Sequence, residues 1–178
     1  MGGIGMALRL ETPGAEHRER YEEMMEEWEG YGGRLNPGAM RRQSEKHPEP
    51  ISYEAWMAWL EEDREAGQEL FFLVETETGR LLGGISIRTQ VERERLYLDG
   101  HSGYGIRPSE RRKGYASRML KMALPILWDR GIDPVVITCA KGNTGSAKAA
   151  LAAGGVLVWE GEDEEEGEVV QAYELKRG

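Results

Sequence analysis

The spacing of apolar residues along the chain switches repeatedly between the two-residue period of strands and the 3.6-residue period of helices. Strands are predicted near Leu8 and Leu10 and over residues 69–75, 81–87, 99–106, 135–139, 156–159 and 169–175. Helices are predicted over residues 14–31, 53–65, 114–130 and 147–153. This alternation, with hairpin strands early and late, favours an α/β (α+β) fold, in which about four helices flank a central mixed sheet of six to seven strands.

Start signals support the first two helices. Thr12-Pro13 is typical of a helix start, and Ser52 is a candidate N-cap for the second helix. The aromatic side chains of this region fit either a packed core or one wall of a substrate pocket, and both alternatives stay open for Tyr31, Tyr53, Trp56 and Trp59. Residues 34–50 predict a long irregular connection, and connections of that length tend to be functional or mobile.

Two charged segments and one proline modify this pattern. Residues 91–98 are predicted to form a charged link that either holds a bulge or extends the strand pair, and the acidic run 160–168 predicts a solvated, flexible hairpin tip. Pro125 lies inside the third long helix, where its missing N–H is expected to produce a kink near Lys121.

Composition narrows the class of protein. The 178 residues suffice for one domain, 1–178, with a sizeable core, and no apolar run approaches the ~20 residues of a membrane helix. Residues 1–6 lack the charged and apolar segments of a signal peptide, so a cytoplasmic protein without a membrane partner is expected. The net charge of −9 disfavours nucleic acid as a partner and mildly favours a cationic substrate such as an amine.

Cysteine and histidine indicate neither a disulfide framework nor a metal centre. The single cysteine, Cys139, lies in an apolar stretch and has no partner for an internal disulfide. His17, His47 and His101 are scattered along the chain without the spacing of metal ligands. The prediction is a protein without a metal site.

The most informative stretch is 103–120, where a strand, a basic turn and a helix follow one another. Pro108 ends the strand, and the helix opens near Gly114. Three cations, at residues 111–113, lie where a helix N-terminus leaves N–H groups unpaired, although cations oppose the helix dipole there. A bound diphosphate would remove this conflict, and Gly114 would let it approach the main chain. The alternative is an exposed basic turn, since the glycine spacing matches neither a Walker loop nor a dinucleotide fingerprint.

This turn resembles the acetyl-CoA signature of the GNAT N-acetyltransferases, because it contains Arg111-x-x-Gly114-x-Ala116 after a strand ending in Gly-Ile-Arg-Pro. The wider stretch is similar to one bacterial subgroup of that family. The likeness extends through residues 137–139, Asn143-x-Gly-Ser146 and 154–156. It implies the GNAT fold, in which two parallel strands splay apart and the pantetheine arm of acetyl-CoA enters the gap. It also implies a set of residues that hold acetyl-CoA, namely Ile106, Arg111, Arg112, Lys113, Gly114, Tyr115, Ala116, Ser117, Asn143 and Ser146. Turn and N-cap chemistry is a second account of the last two.

Acetyl transfer to an amine calls for a base, because an amine of pKa about 10.4 is protonated at neutral pH. His101 is the favoured candidate, since its ordinary pKa of about 6.5 suits neutral pH and a regular strand would put it on one face with Asp99. The alternative is that His101 has only a structural role and that Asp99 or a chain of water molecules acts as the base. Many GNAT enzymes carry a tyrosine acid seven residues after the motif asparagine, where this chain has Ala150, so the candidate substitutes are Tyr104, Tyr115 and Tyr173.

The resemblance therefore implies an N-acetyltransferase that moves the acetyl group of acetyl-CoA to a primary amine of a small molecule or peptide. The transfer would be a direct attack in a ternary complex. The alternative is a catalytically silent CoA-binding sensor or interaction module, which the missing tyrosine motivates. The identity of the acceptor and the formation of a homodimer stay open.

Overall fold

The computed structural model describes residues 7–178 and confirms the mixed α/β architecture. The expectation about a signal peptide concerns residues 1–6, which lie outside the described residues. The strands are β1 Leu8–Glu11, β2 Gln68–Glu75, β3 Leu81–Arg88, β4 Ser102–Ile106, β5 Val135–Ala140, β6 Val156–Asp163 and β7 Glu168–Leu175. The helices are α1 Arg18–Tyr31, α2 Tyr53–Glu65, α3 Leu96–Asp99, α4 Tyr115–Asp129 and α5 Thr144–Ala152. None of these helices has the length and apolar character that crossing a membrane would need.

The strands of this part of the chain form one seven-stranded sheet in the order β1-β2-β3-β4-β5-β7-β6, and among them only β4 and β5 pair in parallel. These two strands pair at a single position, Ser102 with Ile137. Beyond it β4 stays paired with β3 as far as Ile106, whereas β5 follows β7 to Ala140. The predicted splay between two parallel strands is therefore present, and its closed end lies at Ser102.

Helices cover both faces of the sheet and bury two hydrophobic clusters. Helices α4 and α5 pack on one face against side chains such as Ile85 and Ile137. Helices α1 and α2 pack on the other face, where Tyr53 and Trp56 have only 2% and 1% of their surface exposed. For these two aromatic residues the core interpretation is confirmed. Removal of this apolar surface from water is the main stabilisation of the fold.

Two glycines of β4 determine how closely the loop after α1 approaches the splay. Successive side chains of a strand point to opposite faces, and that of Tyr104 enters the α4–α5 cluster. Gly103 and Gly105 therefore face α1 and its following loop. A Cβ at Gly105 would overlap the carbonyl oxygen of Asn36, so this contact requires a glycine. The loop is held in place by the Asn36 side chain, whose Nδ2 donates to the carbonyl of Tyr104 at 3.1 Å.

The segment before β4 corrects one prediction. Residues 96–99 form the short helix α3, Gly100 turns the chain with φ +67°, and the strand begins only at Ser102. The expectation that Asp99 and His101 share one face of a regular strand is therefore wrong. The physical reason is tertiary, because α3 packs against β5 and β7 and the Thr138 hydroxyl binds the carbonyl of Leu98 at 3.2 Å.

The acidic run 160–168 is more regular than predicted. Strand β6 continues to Asp163 and β7 starts at Glu168, so only residues 164–167 form the turn. The buried Asp163 carboxylate accepts hydrogen bonds from the N–H groups of Glu165 and Glu166, which stabilises the turn and lets the strands extend to it. Helix α4 likewise runs on through Pro125 to Asp129.

An ion pair between the buried Arg107 and the partly exposed Glu27 joins α1 to the segment after β4. The Arg107 guanidinium is 2% exposed and donates to Glu27 Oε1 from Nε at 3.1 Å and from Nη2 at 2.9 Å. The same carboxylate accepts hydrogen bonds from the N–H and the hydroxyl of Ser109. Burial alone would raise the pKa of Glu27, but these hydrogen bonds outweigh it and lower the pKa to about 2. The network fixes the start of the basic turn against α1.

We expect Glu27→Gln to lower the free energy of unfolding by about 3 kcal/mol at neutral pH, because it leaves the buried Arg107 charge without its counter-ion. The pKa of Glu27 is lower in the folded protein than its ordinary 4.5. The stabilisation is therefore complete above that value and is lost as the pH falls towards 2. Urea unfolding of both proteins over this acid range measures the difference, which should shrink as the pH falls.

Glu22→Gln is the matched control on the same helix. Glu22 is 53% exposed and pairs with Arg18 at 3.4 Å, so its loss should change the stability by less than about 1 kcal/mol. Equal destabilisation by the two variants would contradict the anchoring role of Glu27.

Candidate active site

The gap between β4 and β5 opens into a cleft of about 1820 Å³. Its first half is bounded by the turn before α4 and by the start of α5. Its second half is bounded by the loop after α1, the end of β3, α3 and the β6–β7 hairpin. Of the ten residues that the resemblance implied, all but Lys113 line this cleft. The structure therefore brings the candidate cofactor residues together and leaves room beside them for a second substrate.

Two left-handed residues shape the turn before α4. Arg112 has φ +62°, and Gly114, the N-cap residue of α4, has φ +82°. Such turns make neighbouring main-chain N–H groups converge on a concave surface that suits an anion. The first N–H groups of a helix also have no acceptor inside the helix, and the helix dipole favours negative charge there. No described atom lies within 4 Å of a Cβ built on Gly114, so the space above the turn is open.

The cations of this turn are held in different ways. Arg111 Nε donates to the carbonyl of Ile106 at 2.8 Å, and its guanidinium lies 5.5 Å and 5.3 Å from the ring centroids of Trp28 and Tyr31. These contacts hold the Arg111 charge against the wall of the cleft. Lys113 instead pairs with Glu110 at 3.2 Å.

The edge of β4 presents main-chain groups to the gap. The N–H of Arg107 donates to Leu82 and the carbonyl of His101 accepts from Arg88, so the odd-numbered residues of this segment bond to β3. The even-numbered residues therefore face β5. Because β5 pairs only with Ser102 there, the N–H groups of Tyr104 and Ile106 face the gap without a β5 partner in the described chain.

Two buried side-chain atoms that line the cleft have no hydrogen-bond partner among residues 7–178, namely Trp28 Nε1 and Ser102 Oγ. Each residue is 2% exposed. A buried donor without a partner costs about 1–3 kcal/mol, so a water molecule or a polar group of a ligand that bound at these atoms would stabilise the structure. Ser102 lies at the closed end of the splay, and Trp28 lies beside Gly105 on the open side.

The sequence matches the family model described as an acetyltransferase (GNAT) domain over residues 8–156. The chain belongs to the GNAT acetyltransferase family. It is accordingly an acetyl-CoA-dependent N-acetyltransferase, and the predicted family, fold and cofactor are confirmed. The open edge of β4, the turn before α4 and the two unpaired buried atoms fit acetyl-CoA as that cofactor.

Solved structures of low sequence identity share this GNAT fold. One is an acetyltransferase from Salmonella typhimurium that modifies the N-terminal serine of a ribosomal protein, with 17% identity, coverage of 98% of this chain and 97% of that chain, and a TM-score of 0.66. The RimL ribosomal alpha-N-protein acetyltransferase in complex with CoA has 16% identity, coverages of 97% and 96%, and a TM-score of 0.67. The microcin C7 self-immunity acetyltransferase MccE, with acetyl-CoA and AMP, has 15% identity, coverages of 96% and 92%, and a TM-score of 0.64. No curated protein matches the sequence significantly.

Within this GNAT site, Tyr104 links β4 to the start of α5. Its hydroxyl donates to the carbonyl of Ser146 at 3.0 Å and accepts from Ser146 Oγ at 3.1 Å. Burial raises the pKa of Tyr104 to about 12. In a helix the carbonyl of Ser146 is the acceptor for the N–H of Ala150, so the Tyr104 hydroxyl lies within one turn of the position where many family members carry their tyrosine. Tyr173 instead donates to Gln171 at 3.2 Å.

Asn143 acts as the N-cap of α5, because its Oδ1 accepts the N–H of Ser146 at 3.1 Å. The N-cap interpretation of this residue is confirmed. The cap uses only Oδ1, and Asn143 and Ser146 both line the cleft, so a contact with the cofactor is compatible with the cap.

His101 lies inside the sheet of the GNAT fold, with 8% of its surface exposed. Its Nδ1 accepts the N–H of Val136 at 2.9 Å, and its own N–H donates to the Val136 carbonyl at 2.7 Å. Burial lowers the pKa of His101, and the nearby Arg88 lowers it further. Because Nδ1 already accepts a hydrogen bond, the proton of the neutral ring lies on Nε2 and no basic lone pair is left. This geometry supports the structural alternative for His101.

Asp99 lines the cleft at the end of α3. Its carboxylate accepts hydrogen bonds from Arg95 Nε at 2.9 Å and from Nη2 at 3.0 Å. Of the two candidate bases, the Asp99 carboxylate and the His101 imidazole, Asp99 is therefore the one that lines the cleft.

Proposed function

We propose that this GNAT enzyme transfers the acetyl group to a primary amine of a small molecule or peptide by direct attack in a ternary complex. The observation that carries the proposal is the continuity of the cleft, which joins the anion-binding turn, the open edge of β4 and a second polar region in one space. Direct attack is favoured over a covalent enzyme intermediate, because burial raises the pKa of the Cys139 thiol and only 8% of that residue is exposed.

The residues of the cleft suit an extended acetyl-CoA. The turn at residues 111–117 would hold the diphosphate, and the N–H groups of Tyr104 and Ile106 would bind the pantetheine arm as an added strand. An arm that starts at this turn and follows β4 runs towards its closed end. There the unpaired Ser102 hydroxyl would donate a hydrogen bond to the acyl oxygen.

Acetyl-CoA would supply a thioester carbonyl carbon, to which the amine nitrogen would form a C–N bond while the C–S bond breaks. CoA would leave as a thiolate, which then takes a proton from the solvent. We assign to the Tyr104 hydroxyl a hydrogen bond to the leaving sulfur, for which its one proton turns from the Ser146 carbonyl to the sulfur when the cofactor is bound. The pKa of Tyr104, about 12, lies well above the ~8.5 of a thiol, so Tyr104 keeps its own proton and acts as a hydrogen-bond donor.

The amine must lose a proton before or during its attack, and we assign this proton to Asp99 through water in the cleft. Asp99→Asn is expected to lower kcat/KM by about 100-fold at neutral pH, since general bases contribute 10²–10⁴-fold. His101→Asn, which keeps an acceptor for the Val136 N–H, should retain kcat/KM within about threefold, because only a structural contact changes. Steady-state kinetics of both variants measures this, and the reverse order of the two losses would restore His101 as the base.

Release of free thiol from acetyl-CoA, measured over a panel of amino acids, polyamines, aminoglycosides and peptides with free N-termini, tests the proposed function. We expect at least one primary amine to raise the rate well above hydrolysis, with the acetylated amine detected by mass spectrometry. Tight binding of acetyl-CoA without acetylation of any primary amine would contradict the proposal.

A further inference from the structure

A second, smaller pocket opens off the second half of the cleft, which is bounded by the loop after α1, the end of β3, α3 and the β6–β7 hairpin. It has a volume of about 250 Å³ and lies between the loop 36–39, α2 and the ends of β2 and β3. Ser86, Arg88 and Gly103 contribute to its lining, and Arg88 and Gly103 also line the main cleft. A group bound here would therefore lie beside β4, the strand with the open edge.

Arg88 brings a positive charge to this pocket without a carboxylate partner. Its guanidinium donates to the carbonyls of Asp99 at 2.9 Å and Gly100 at 3.3 Å, and to Ser86 Oγ at 3.5 Å. No ion pair within 4.0 Å involves Arg88 in residues 7–178, whereas the buried Arg107 is paired with Glu27. A guanidinium has five N–H groups, so two remain for a ligand. Burial lowers the pKa of Arg88, which reflects the cost of holding this charge away from water, and the attraction of the Asp99 carboxylate offsets this only in part.

The carboxylates that line the same pocket do not neutralise Arg88. Glu69 is paired with Arg130 at 2.8 Å and lies 3.9 Å from Arg64. Asp63, on α2, has its pKa raised by burial and by the neighbouring Glu62, so its surroundings disfavour the charged form. Arg88 is thus the charged group of the pocket for which an anionic ligand would be the counter-ion.

We infer that Arg88 binds a carboxylate of the acetyl acceptor in this pocket, so that the acceptor is an amine that also carries a carboxylate group. The inference rests on the proposed acetyl transfer and names its substrate class. A planar guanidinium with two remaining N–H groups matches the two oxygens of a carboxylate. Asn36 would orient the amine, because its Nδ2 is bound to the Tyr104 carbonyl and its Oδ1 lies 3.4 Å from a Cβ built on Gly103.

A free amino acid and a peptide N-terminus with an acidic side chain share this chemistry, and matched probes distinguish them. The first pair is serine and serinamide, and the second is aspartyl-alaninamide and asparaginyl-alaninamide. With saturating acetyl-CoA, we expect at least one of the two pairs to show a preference for the carboxylate compound, which is serine in the first pair and aspartyl-alaninamide in the second. Its kcat/KM should exceed that of the amide compound at least tenfold, mainly because its KM is lower. Calorimetric titration of the same probes into the CoA-saturated protein provides the comparison independently of turnover.

A difference of less than about twofold in both pairs, in rate and in binding, would overturn the inference. If the amides are acetylated as well as the acids, the proposed acetyl transfer stands and only the carboxylate pocket fails. If no primary amine of the wider panel is acetylated, the proposed transfer itself fails.

Substitutions at Arg88 and Asp63 should change KM for the carboxylate probe in opposite directions. Arg88→Gln should raise KM for the carboxylate probe at least tenfold more than KM for its amide, because the lost charge acts on the carboxylate alone, whereas the lost contacts to Asp99 and Gly100 act on both probes alike. Asp63→Asn, which leaves the contacts of Arg88 to α3 intact, should lower KM for the carboxylate probe by up to about threefold, because it removes whatever negative charge Asp63 carries at the pH of the assay. Equal changes for acid and amide in both variants would indicate a purely structural role and contradict the inference.

Discussion

Gly114→Ala is expected to weaken the binding of CoA by about 100-fold, which corresponds to about 3 kcal/mol. Gly114 has φ +82°, a conformation that costs an L-residue roughly 1–2 kcal/mol. An alanine therefore favours a turn in which the N–H groups no longer converge. Its methyl group would also enter the open space above the turn, where the diphosphate is proposed to lie. Calorimetric titration of CoA into the two proteins measures the loss.

Gly131→Ala provides a matched control for backbone strain. Gly131 follows the other end of α4 with φ +88°, and a Cβ there would also meet no atom within 4 Å. This variant should lose about the same stability as Gly114→Ala, roughly 1–2 kcal/mol, and bind CoA as the wild type does. Equal CoA affinities for the two variants would show that the turn does not hold the diphosphate.

Tyr104→Phe is expected to lower kcat by about 100-fold with little change in the KM for acetyl-CoA, because a donor aimed at charge that develops in the transition state acts on kcat. The pKa of Tyr104 is raised to about 12, so the hydroxyl stays protonated throughout the range in which the enzyme is assayed. The ratio of wild-type to variant kcat should therefore be constant across neutral and mildly alkaline pH. Initial rates over this range measure it.

Tyr173→Phe removes a comparable hydroxyl from the same hydrophobic cluster. Tyr173 is 4% exposed and donates to Gln171 rather than to a residue at the start of α5. We expect its kcat to stay within about threefold of the wild type, since the variant loses only a structural hydrogen bond. Equal losses in the two variants, or a ratio for Tyr104→Phe that declines as the pH rises through 8, would contradict the proposed donor.

Features encoded within a few consecutive residues could be predicted from the sequence. Ser52 caps α2 as expected, since its Oγ accepts the N–H of Ala55 at 3.1 Å. Gly114 is the N-cap residue of α4, at the position where the basic turn predicted a helix start. In both cases a side chain or a glycine acts on its own neighbours, and short-range chemistry determines the result.

Features that depend on residues distant in sequence could not be predicted. His101 was a candidate base because of its ordinary pKa, but its ring binds Val136, 35 positions away. Ser102 carries no pattern that marks it before the pairing of β4 with β5 is known. Arg88 likewise reads as an ordinary charge at the end of a strand until α3 and the loop 36–39 enclose it.

The loop 34–50 illustrates a partial success. Its length predicts a functional or mobile connection, and Asn36 contacts β4 beside the splay, which is compatible with the first alternative. Among the aromatic residues of the first two helices, however, the one that lines the cleft is Trp28 of α1, which was not among the candidates for a pocket wall. A helical period gives the buried face of a helix but not which part of that face meets a cleft.

A crystal structure of the protein with CoA is the most direct test of the proposed cofactor site. We expect diphosphate oxygens within hydrogen-bond distance of main-chain N–H groups of residues 112–117, and the pantetheine arm along the open edge of β4 with its sulfur towards Ser102. CoA bound elsewhere on the protein, or a diphosphate held by side chains alone and away from this turn, would contradict it.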